Sequence, residues 1–320
     1  KLNNFSDHLY ELRKKILDKT TKDYFLKIDE KKSYYAIFRI FFLWLVSVVL
    51  FPYLYVKIGL TGFIIGFILV GTCTYKFTFI IHEAIHSNLF INEKLNYYFG
   101  SFFATLIGTT FEAFKKIHLG HHMHSNTEND PQKNDYLSNE RRKKFEIVFF
   151  LISPLFFGKL FHYIKREIKD AKDITAQAIK NFNFNGIFFI TFSIILNLLI
   201  IVVYYKYTNS FLFSISYHLS LATISLFLAR IRTIAEHKEF NKYPSDAEFV
   251  MSHKKNFIEN FFLYDMNFNY HFEHHISPKI HFSKLEQFSK KYQNEIHGKY
   301  NSLFPSMTLR ILSQLKNYKI

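Results

Sequence analysis

Cysteine is nearly absent from this 320-residue chain, which contains only Cys73. One thiol cannot form a disulfide framework, and it cannot build the multi-cysteine sites that bind zinc or iron–sulfur clusters. Acidic residues are also few, 26 against 41 Lys and Arg, which leaves a net charge of +15. The N-terminal sequence is charged and amphipathic, so no cleavable signal peptide is expected.

Apolar residues, in contrast, make up 49% of the chain and include 40 Phe and 21 Tyr. They form long uncharged blocks, and a helix of about 20 apolar residues crosses the roughly 30 Å core of a bilayer. Backbone groups in lipid must pair within the protein, which favours helices. The sequence therefore predicts an all-α, multi-pass integral membrane protein, with residues 1–320 forming a single membrane domain.

Four apolar runs are long enough to span a membrane, and two very short turns join them in pairs. The predicted spans are 36–56, 60–81, 186–205 and 210–229. The glycines of the second run, Gly62, Gly66 and Gly71, would allow close helix packing. The polar or short runs 97–114 and 145–161 are expected to be re-entrant or interfacial. Residues 1–35 predict an amphipathic helix on the membrane face, or alternatively a solvated helix.

The basic residues lie mainly on one side of this arrangement. Only Lys57 and Lys206 fall in the two short turns. Lys and Arg collect on the cytoplasmic side of membrane proteins, so both termini are expected in the cytoplasm, in a bacterial inner membrane or the endoplasmic reticulum. This asymmetry explains the positive charge without nucleic acid, and we expect no nucleic-acid partner.

Histidine is the residue with the clearest pattern, because eight of 16 fall in three short boxes. Box one is 82–86, box two is 118–122 and box three is 271–275. Their histidines are spaced i, i+3 and i+4, so each box can direct its imidazoles from one helix face. The box histidines are His82, His86, His118, His121, His122, His271, His274 and His275. His237 stands alone, directly after Glu236.

This number of histidines predicts two metal ions. A tetrahedral zinc site takes three or four ligands, whereas eight or nine imidazoles suit two ions with four or five ligands each. The isolated histidines are interpreted as surface or hydrogen-bonded core residues: His8, His162, His253, His281 and His297. His218 lies in the last apolar run, where an ionisable group is either functional or held by a buried hydrogen bond.

Box one alone also fits a zinc protease, with His82 and His86 as ligands and Glu83 as the general base. That reading leaves boxes two and three unexplained. A metal-binding membrane protein without catalytic activity is a further alternative.

Taken together, the boxes resemble the membrane fatty acid desaturase superfamily over residues 81–278. Box one resembles its H-[DE]-x-x-H pattern, and 118–131 resembles H-x-x-H-H-x-H-[ST]-N followed by Asp-Pro. Residues 232–237 resemble R-x-x-x-E-H, and 269–275 resemble N-x-H-x-x-H-H. The pattern is specific because order and spacing agree at all four positions. The apolar runs and the charge asymmetry predict four transmembrane helices in two hairpins, with a cytoplasmic helical cap that carries the boxes, and the resemblance includes this topology.

The resemblance also implies a non-haem di-iron centre whose ligands are the eight box histidines and His237. Further residues would orient these ligands or contact them through water: Asn267, Asp130, Glu236, Glu273 and His124. The implied reaction is O₂-dependent desaturation of a long acyl chain in lipid metabolism, carried as acyl-lipid, acyl-CoA or acyl-ACP. A sister lipid hydroxylase or carotenoid ketolase is the alternative. Electrons would come from a separate ferredoxin or cytochrome b5 system, since the chain contains neither.

Overall fold

The computed structural model describes residues 5–137, 144–161, 184–237, 249–254, 256–298 and 303–316. These residues are mostly helical, as predicted. The helices before residue 160 are α1 Phe5–Ile16, α2 Lys19–Phe25, α3 Glu30–Tyr75, α4 Phe77–Ile85, α5 Glu93–Leu106, α6 Phe111–His124 and α7 Lys144–Ile152. The later helices are α8 Phe184–Thr208, α9 Phe211–Ser214, α10 Ser216–Ser220, α11 Leu226–Glu236, α12 Phe257–Phe262, α13 His271–Ile276, α14 Leu285–Lys291 and α15 Met307–Lys316. Strands β1 Ser252–His253 and β2 Leu303–Phe304 pair in parallel.

Helix α3 is a hairpin rather than one straight helix. The backbone leaves the helical region at Ile58 and Gly59, and Gly59 has a positive φ of 58°. The two halves then pack against each other, with the Phe51 ring 5.6 Å from Phe63 and 6.4 Å from Phe67. The predicted turn between the first two apolar runs is therefore present.

Within the described residues, three helical segments are long and apolar enough to cross a membrane: Thr21–Ile85, Thr191–Thr208 and Ser216–Glu236. The first contains the α3 hairpin. The other two are separated by Asn209, whose φ is 51°. Phe213 lies 4.6 Å from Tyr55 and 5.4 Å from Tyr204, so both turns lie at the same end of the molecule. The chain is an integral membrane protein; the exact number of crossings stays a prediction.

The glycines of α3 permit close packing, as predicted. An added Cβ at Gly62 would lie 2.1 Å from the carbonyl oxygen of Leu54. At Gly71 it would lie 2.5 Å from Ile224, in the π-helical turn Leu221–Ser225 between α10 and α11. Ser225 donates a hydrogen bond of 2.7 Å to the Gly71 carbonyl, which ties the two hairpins together.

Within run 97–114 the chain reverses direction. Helix α5 ends at Leu106, Gly108 has a positive φ of 78°, and α6 begins at Phe111. The rings of Tyr97 and Phe111 lie 5.7 Å apart, so α6 starts beside the middle of α5. This reversal returns the chain to the end of α4 and brings box two beside box one. The re-entrant or interfacial position of this segment stays a prediction.

The second predicted interfacial run, 145–161, is helix α7 followed by a 3₁₀ turn, Ser153–Phe156. It packs against α11 through buried Ile147 and Ile234. Its outer face exposes Phe145 and Phe149. Residues 162–183, which include His162, lie outside the described residues.

The N-terminal segment differs from the membrane-surface helix we predicted. The apolar residues of α1, including Leu9, Leu12 and Ile16, are buried in the protein core, and α1 packs against α6 and α13. Helix α2 continues this contact, because the Phe25 ring lies 5.2 Å from Phe288. The apolar stripe at the start of the chain therefore covers the histidine-bearing helices instead of facing lipid.

A buried carboxylate links the first hairpin to the segment before box three. Asp265 pairs with Arg39 of α3 and with Lys76, whose Nζ lies 3.2 Å from the carboxylate. Lys76 occupies the break between α3 and α4, and only 5% of its surface is exposed. These pairs fix the end of the membrane helix relative to the chain that leads into α13.

The substitution Gly66→Ala tests the hairpin packing. Replacing glycine by alanine inside a helix ordinarily stabilises it by about 1 kcal/mol. Here the new Cβ would lie 2.2 Å from a ring carbon of fully buried Phe51, and overpacking of this kind costs about 1–3 kcal/mol. We expect a lower thermal unfolding midpoint in detergent, whereas Thr61→Ala at an exposed position changes it little. An unchanged or higher midpoint for Gly66→Ala would show that the halves are not in close contact.

Candidate metal centre

Four helix ends converge to form the centre. Box one occupies the last turn of α4 and the residue after it, and box two occupies the last turns of α6. His237 directly follows α11, and box three forms α13. All nine histidines predicted as ligands therefore lie in one region, although they come from segments that are up to about 190 residues apart in the sequence.

Five imidazoles form the first group, with ligand atoms within 4.8 Å of one another: His82, His86, His118, His122 and His274. Their Nε2 atoms face each other closely. The distance is 2.8 Å between His86 and His118, and 3.0 Å between His118 and His122. His274 lies 3.1 Å from His122. Each of the three boxes contributes to this group.

The remaining four histidines fall in two overlapping triads that share His237: His121, His237 and His275, and Glu236, His237 and His271. We call His121, His237, His271 and His275 together the second group. The Nε2 of His271 lies 3.1 Å from that of His237 and 3.2 Å from that of His275. Glu236 belongs to this group, with Oε2 3.7 Å from the Nε2 of His271. The rings of His122 and His275 lie 4.4 Å apart, so the two groups are adjacent.

Hydrogen bonds between the imidazoles cannot account for this geometry. Nε2 of a neutral imidazole is either a donor or an acceptor. The Nε2 atoms of His86, His118, His122 and His274 make three successive contacts. Each hydrogen bond needs one donor and one acceptor, and each donor has a single hydrogen. At most two of the three contacts can therefore be hydrogen bonds. The Nε2 atoms of His82 and His121 are buried without a hydrogen-bond partner. Facing lone pairs in a buried site are what a cation would bind, so the residues fit two metal ions.

Burial favours the neutral form of His86, His118, His122 and His274. It lowers the pKa of His118, His122 and His274 well below 6.5, and the neighbouring imidazoles lower it further. Burial also lowers the pKa of His86, to about 3, with smaller contributions from the positive charges of Lys279 and Lys115. Metal ligands must be deprotonated, so at neutral pH these side chains are ready to bind without losing a proton.

Asp130 orients a ligand of the second group, as predicted from its position after box two. Its Oδ2 lies 3.0 Å from Nδ1 of His121. The hydroxyl of Tyr136 lies 2.9 Å from the same nitrogen and donates to Asp130 at 3.2 Å. Burial and Asp130 raise the pKa of Tyr136, so the phenol stays protonated. The sequence does not identify Tyr136 as a residue that orients a ligand, because a tyrosine in a polar segment carries no spacing signal.

Glu236 and Glu273, which were also predicted to orient the ligands, contact different histidines. Glu236 contacts His271, and Arg232 lies 3.6 Å from its carboxylate. Glu273 instead engages His297 at 2.7 Å and accepts a hydrogen bond from Ser252.

Two further residues predicted near the ligands make other contacts. The side chain of Asn267 donates to the Phe282 carbonyl at 2.9 Å. His124 is exposed and belongs to neither histidine group. It lies on the outer face of α6 because it is two residues from His122, and residues two apart on a helix point in different directions.

Three isolated histidines are buried core residues, as interpreted from the sequence. His253 lies 2.9 Å from the Tyr264 hydroxyl, His281 lies 3.1 Å from Ser33, and His297 contacts Glu273. His218 is separate from both metal groups, and its Nε2 lies 2.8 Å from Oδ1 of Asn197 on α8. The side chain of His8 lies outside the described residues.

Box one is part of a larger histidine cluster, whereas the protease interpretation needs only His82, His86 and Glu83. Glu83 is fully buried with Oε1 3.3 Å from Nδ1 of its neighbour His82, a contact that orients an imidazole. The Phe268 ring packs 4.3 Å from His82 on another side. A site with two ligands and a base would use only part of a cluster that contains all nine histidines.

The sequence model of the fatty acid desaturase family matches residues 58–306, which contain both histidine groups. The chain belongs to the fatty acid desaturase family. Comparison with curated proteins gave no match. The family consists of membrane oxidoreductases that typically use a non-haem di-iron centre. The two buried histidine groups are where this chain could bind the two metal ions.

Asp130→Asn should weaken metal binding at the second group. The amide cannot hold the imidazole of His121 as a carboxylate does, and loss of such an orienting partner typically lowers affinity about 10–100-fold. Metal content after dialysis against graded chelator measures this change. Glu128→Gln, at an exposed neighbouring position, is the matched control and should retain metal like the parent chain. Equal retention in both variants would contradict a role for Asp130.

The pH dependence of stability should contain a contribution from His253, outside the metal groups. Burial, with a smaller contribution from nearby Arg310, lowers its pKa from 6.5 to about 3. Below pH 6.5 the unfolded chain binds a proton that the folded chain does not, so the free energy of unfolding falls. This loss is about 1.4 kcal/mol per pH unit and continues to about pH 3. Unfolding midpoints of His253→Gln should fall less steeply on acidification, and parallel curves would refute the assignment.

Proposed function

We propose that this protein is an O₂-dependent desaturase of long acyl chains that acts through a di-iron centre. The observation that supports this most is the convergence of nine imidazoles into two adjacent groups. Zinc cannot change its oxidation state, so oxidation of an alkyl chain requires a redox-active metal such as iron. Family membership supports the same oxidative chemistry.

In this proposal the first iron is held by the five histidines of the first group. The second is held by His121, His237, His271 and His275, with Glu236 beside them. Two irons bound there would supply O₂ activation and removal of two hydrogens from neighbouring carbons, which leaves a cis double bond. Asp130 and Glu83 hold the rings of His121 and His82 in place, and burial keeps bulk water away from the centre.

Aromatic residues below box one would provide an apolar path for the acyl chain. Phe77 lies on the same helix as His82, 5.4 Å from Trp44 and 4.8 Å from Phe103. Phe41 lies 5.3 Å from Trp44 and extends this cluster along α3. An alkyl chain bound among such rings loses its contact with water, which is the main source of affinity for an apolar ligand.

The proposed topology has four crossings in two hairpins, with both termini and the metal centre in the cytoplasm. The α3 turn at Gly59 and the Asn209 turn lie together at the opposite end from the histidines. The charge asymmetry of the loops supports this orientation. Residues 1–320 would then form one membrane domain with a helical cap around the boxes. A separate ferredoxin or cytochrome b5 would deliver the electrons.

Product analysis tests this function. Expression in a host without desaturases should yield acyl chains two hydrogens lighter, and purified protein should contain about two irons per chain. His274→Ala should abolish the product and lower the iron content, because it removes a ligand of the first group. The matched control His124→Ala should retain both, since His124 is exposed.

Other outcomes would replace the proposal. Products that gain one oxygen atom would identify a hydroxylase at the same centre, and products in which one oxygen replaces two hydrogens would identify a ketolase. Active protein that contains zinc and no iron would contradict the di-iron proposal.

A further inference from the structure

Two short helices after the last candidate span expose large apolar side chains. On α12, Phe257 is 86% exposed, Ile258 67% and Phe261 40%. On α15, Leu309 is 53% exposed and Leu312 49%. We call these five residues the C-terminal apolar patch. Large exposed apolar groups of this kind ordinarily mark a contact with lipid or with another protein.

The two helices form one unit through a buried carboxylate. Glu259 of α12 accepts hydrogen bonds from the backbone N–H groups of Met307 and Thr308 at 3.1 and 3.0 Å. The Thr308 hydroxyl donates to it as well, at 2.8 Å. Glu259 thereby caps the start of α15. The inner side of the unit thus contains a hydrogen-bonded carboxylate beside buried Met307, whereas five large apolar side chains face outward.

Contacts with the membrane helices place the patch at the level where those helices end. The Nζ of Lys76, at the break between α3 and α4, lies 5.7 Å from the centroid of the Phe261 ring. Asp265, four residues after Phe261, pairs with Arg39 on the other half of the hairpin. Helix α15 packs against α11, the end of the candidate span Ser216–Glu236.

The neighbouring surface of α3 continues this apolar face. Phe38 is 66% exposed and Phe42 51%, on either side of Arg39. These residues belong to the candidate span Thr21–Ile85, whose outer face is apolar. The patch therefore extends a surface that already faces lipid. Lys and Arg near the ends of membrane helices can bury their stems against such apolar side chains while the charged group reaches the membrane–water interface.

We propose that the C-terminal apolar patch inserts into the interfacial layer of the membrane, on the side of the metal centre. Continuity with the lipid-facing surface of α3 favours lipid over a second copy of the chain as the partner. Helices α12 and α15 would then lie flat against the bilayer beside the ends of two spans. This contact fixes which face of the histidine-bearing region rests on the membrane, and it does not depend on the metal or the reaction.

Spin labels at the patch measure its contact with lipid directly. Cys73 is the sole cysteine, so Cys73→Ala removes the native thiol, and Ile258→Cys or Leu312→Cys adds a single label site. Lys290→Cys, at an exposed position on α14, is the matched control. The full chain is reconstituted in vesicles of phosphatidylcholine and phosphatidylglycerol. Labels at 258 and 312 should collide more often with O₂, which concentrates in lipid, than with a water-soluble nickel chelate, and the label at 290 should show the opposite.

Two other outcomes would overturn the proposal. Frequent collision of the labels at 258 and 312 with the nickel chelate would place the patch in water. Shielding from both reagents, together with dipolar coupling between labels on different chains, would identify a second copy as the partner. Either result leaves the proposed desaturation untouched, because activity is not the readout. Absence of any desaturated product from the unlabelled parent chain, together with lipid-exposed labels, would contradict the proposed function and leave this inference standing.

Discussion

Facing imidazole nitrogens in a buried site are the constraint on which this structure depends. Nitrogens 2.8–3.2 Å apart repel one another unless a proton or a cation lies between them, and burial has made protonation costly. The histidines come from four separate segments, so no single helix can supply the arrangement. The surrounding protein must hold these segments together against that repulsion whenever metal is absent, and bound metal would convert the repulsion into attraction.

The membrane helices provide most of that support. Helices α4 and α11 form the ends of two candidate spans, so box one and His237 lie at the ends of long helical segments. These segments pack together at Gly71 and Ser225. Asp265 joins the first of these helical segments to the chain that leads into box three. The reversal between α5 and α6 returns box two to the same place. Helix α1 then covers α6 and α13 from outside.

Much of this arrangement could be predicted because spacing and hydropathy are local properties. The apolar runs predicted the hairpins, and the i, i+3, i+4 repeats predicted which histidines act together. The division into five and four could not be predicted, because His121 and His122 are adjacent in sequence and enter different groups. The roles of Asp265 and Glu259 depend on partners distant in sequence, such as Arg39 and Met307. The role of Tyr136 has no spacing signal, although its partners Asp130 and His121 are nearby in the chain. The burial of α1 could not be predicted either, since an amphipathic helix fits a membrane and a protein surface equally well.

The end of the molecule opposite the histidines consists of short turns. In the part of the chain that the structure describes, the two hairpins end there in a turn at Ile58–Gly59 and a turn around Asn209. Phe213 packs against Tyr55 beside these turns, which holds the two hairpins together at this end. A tag, an antibody epitope or a fused domain inserted at this end would have to split a tight turn. Labelling and fusion strategies for this protein therefore have to use the termini or the loops beside the metal centre.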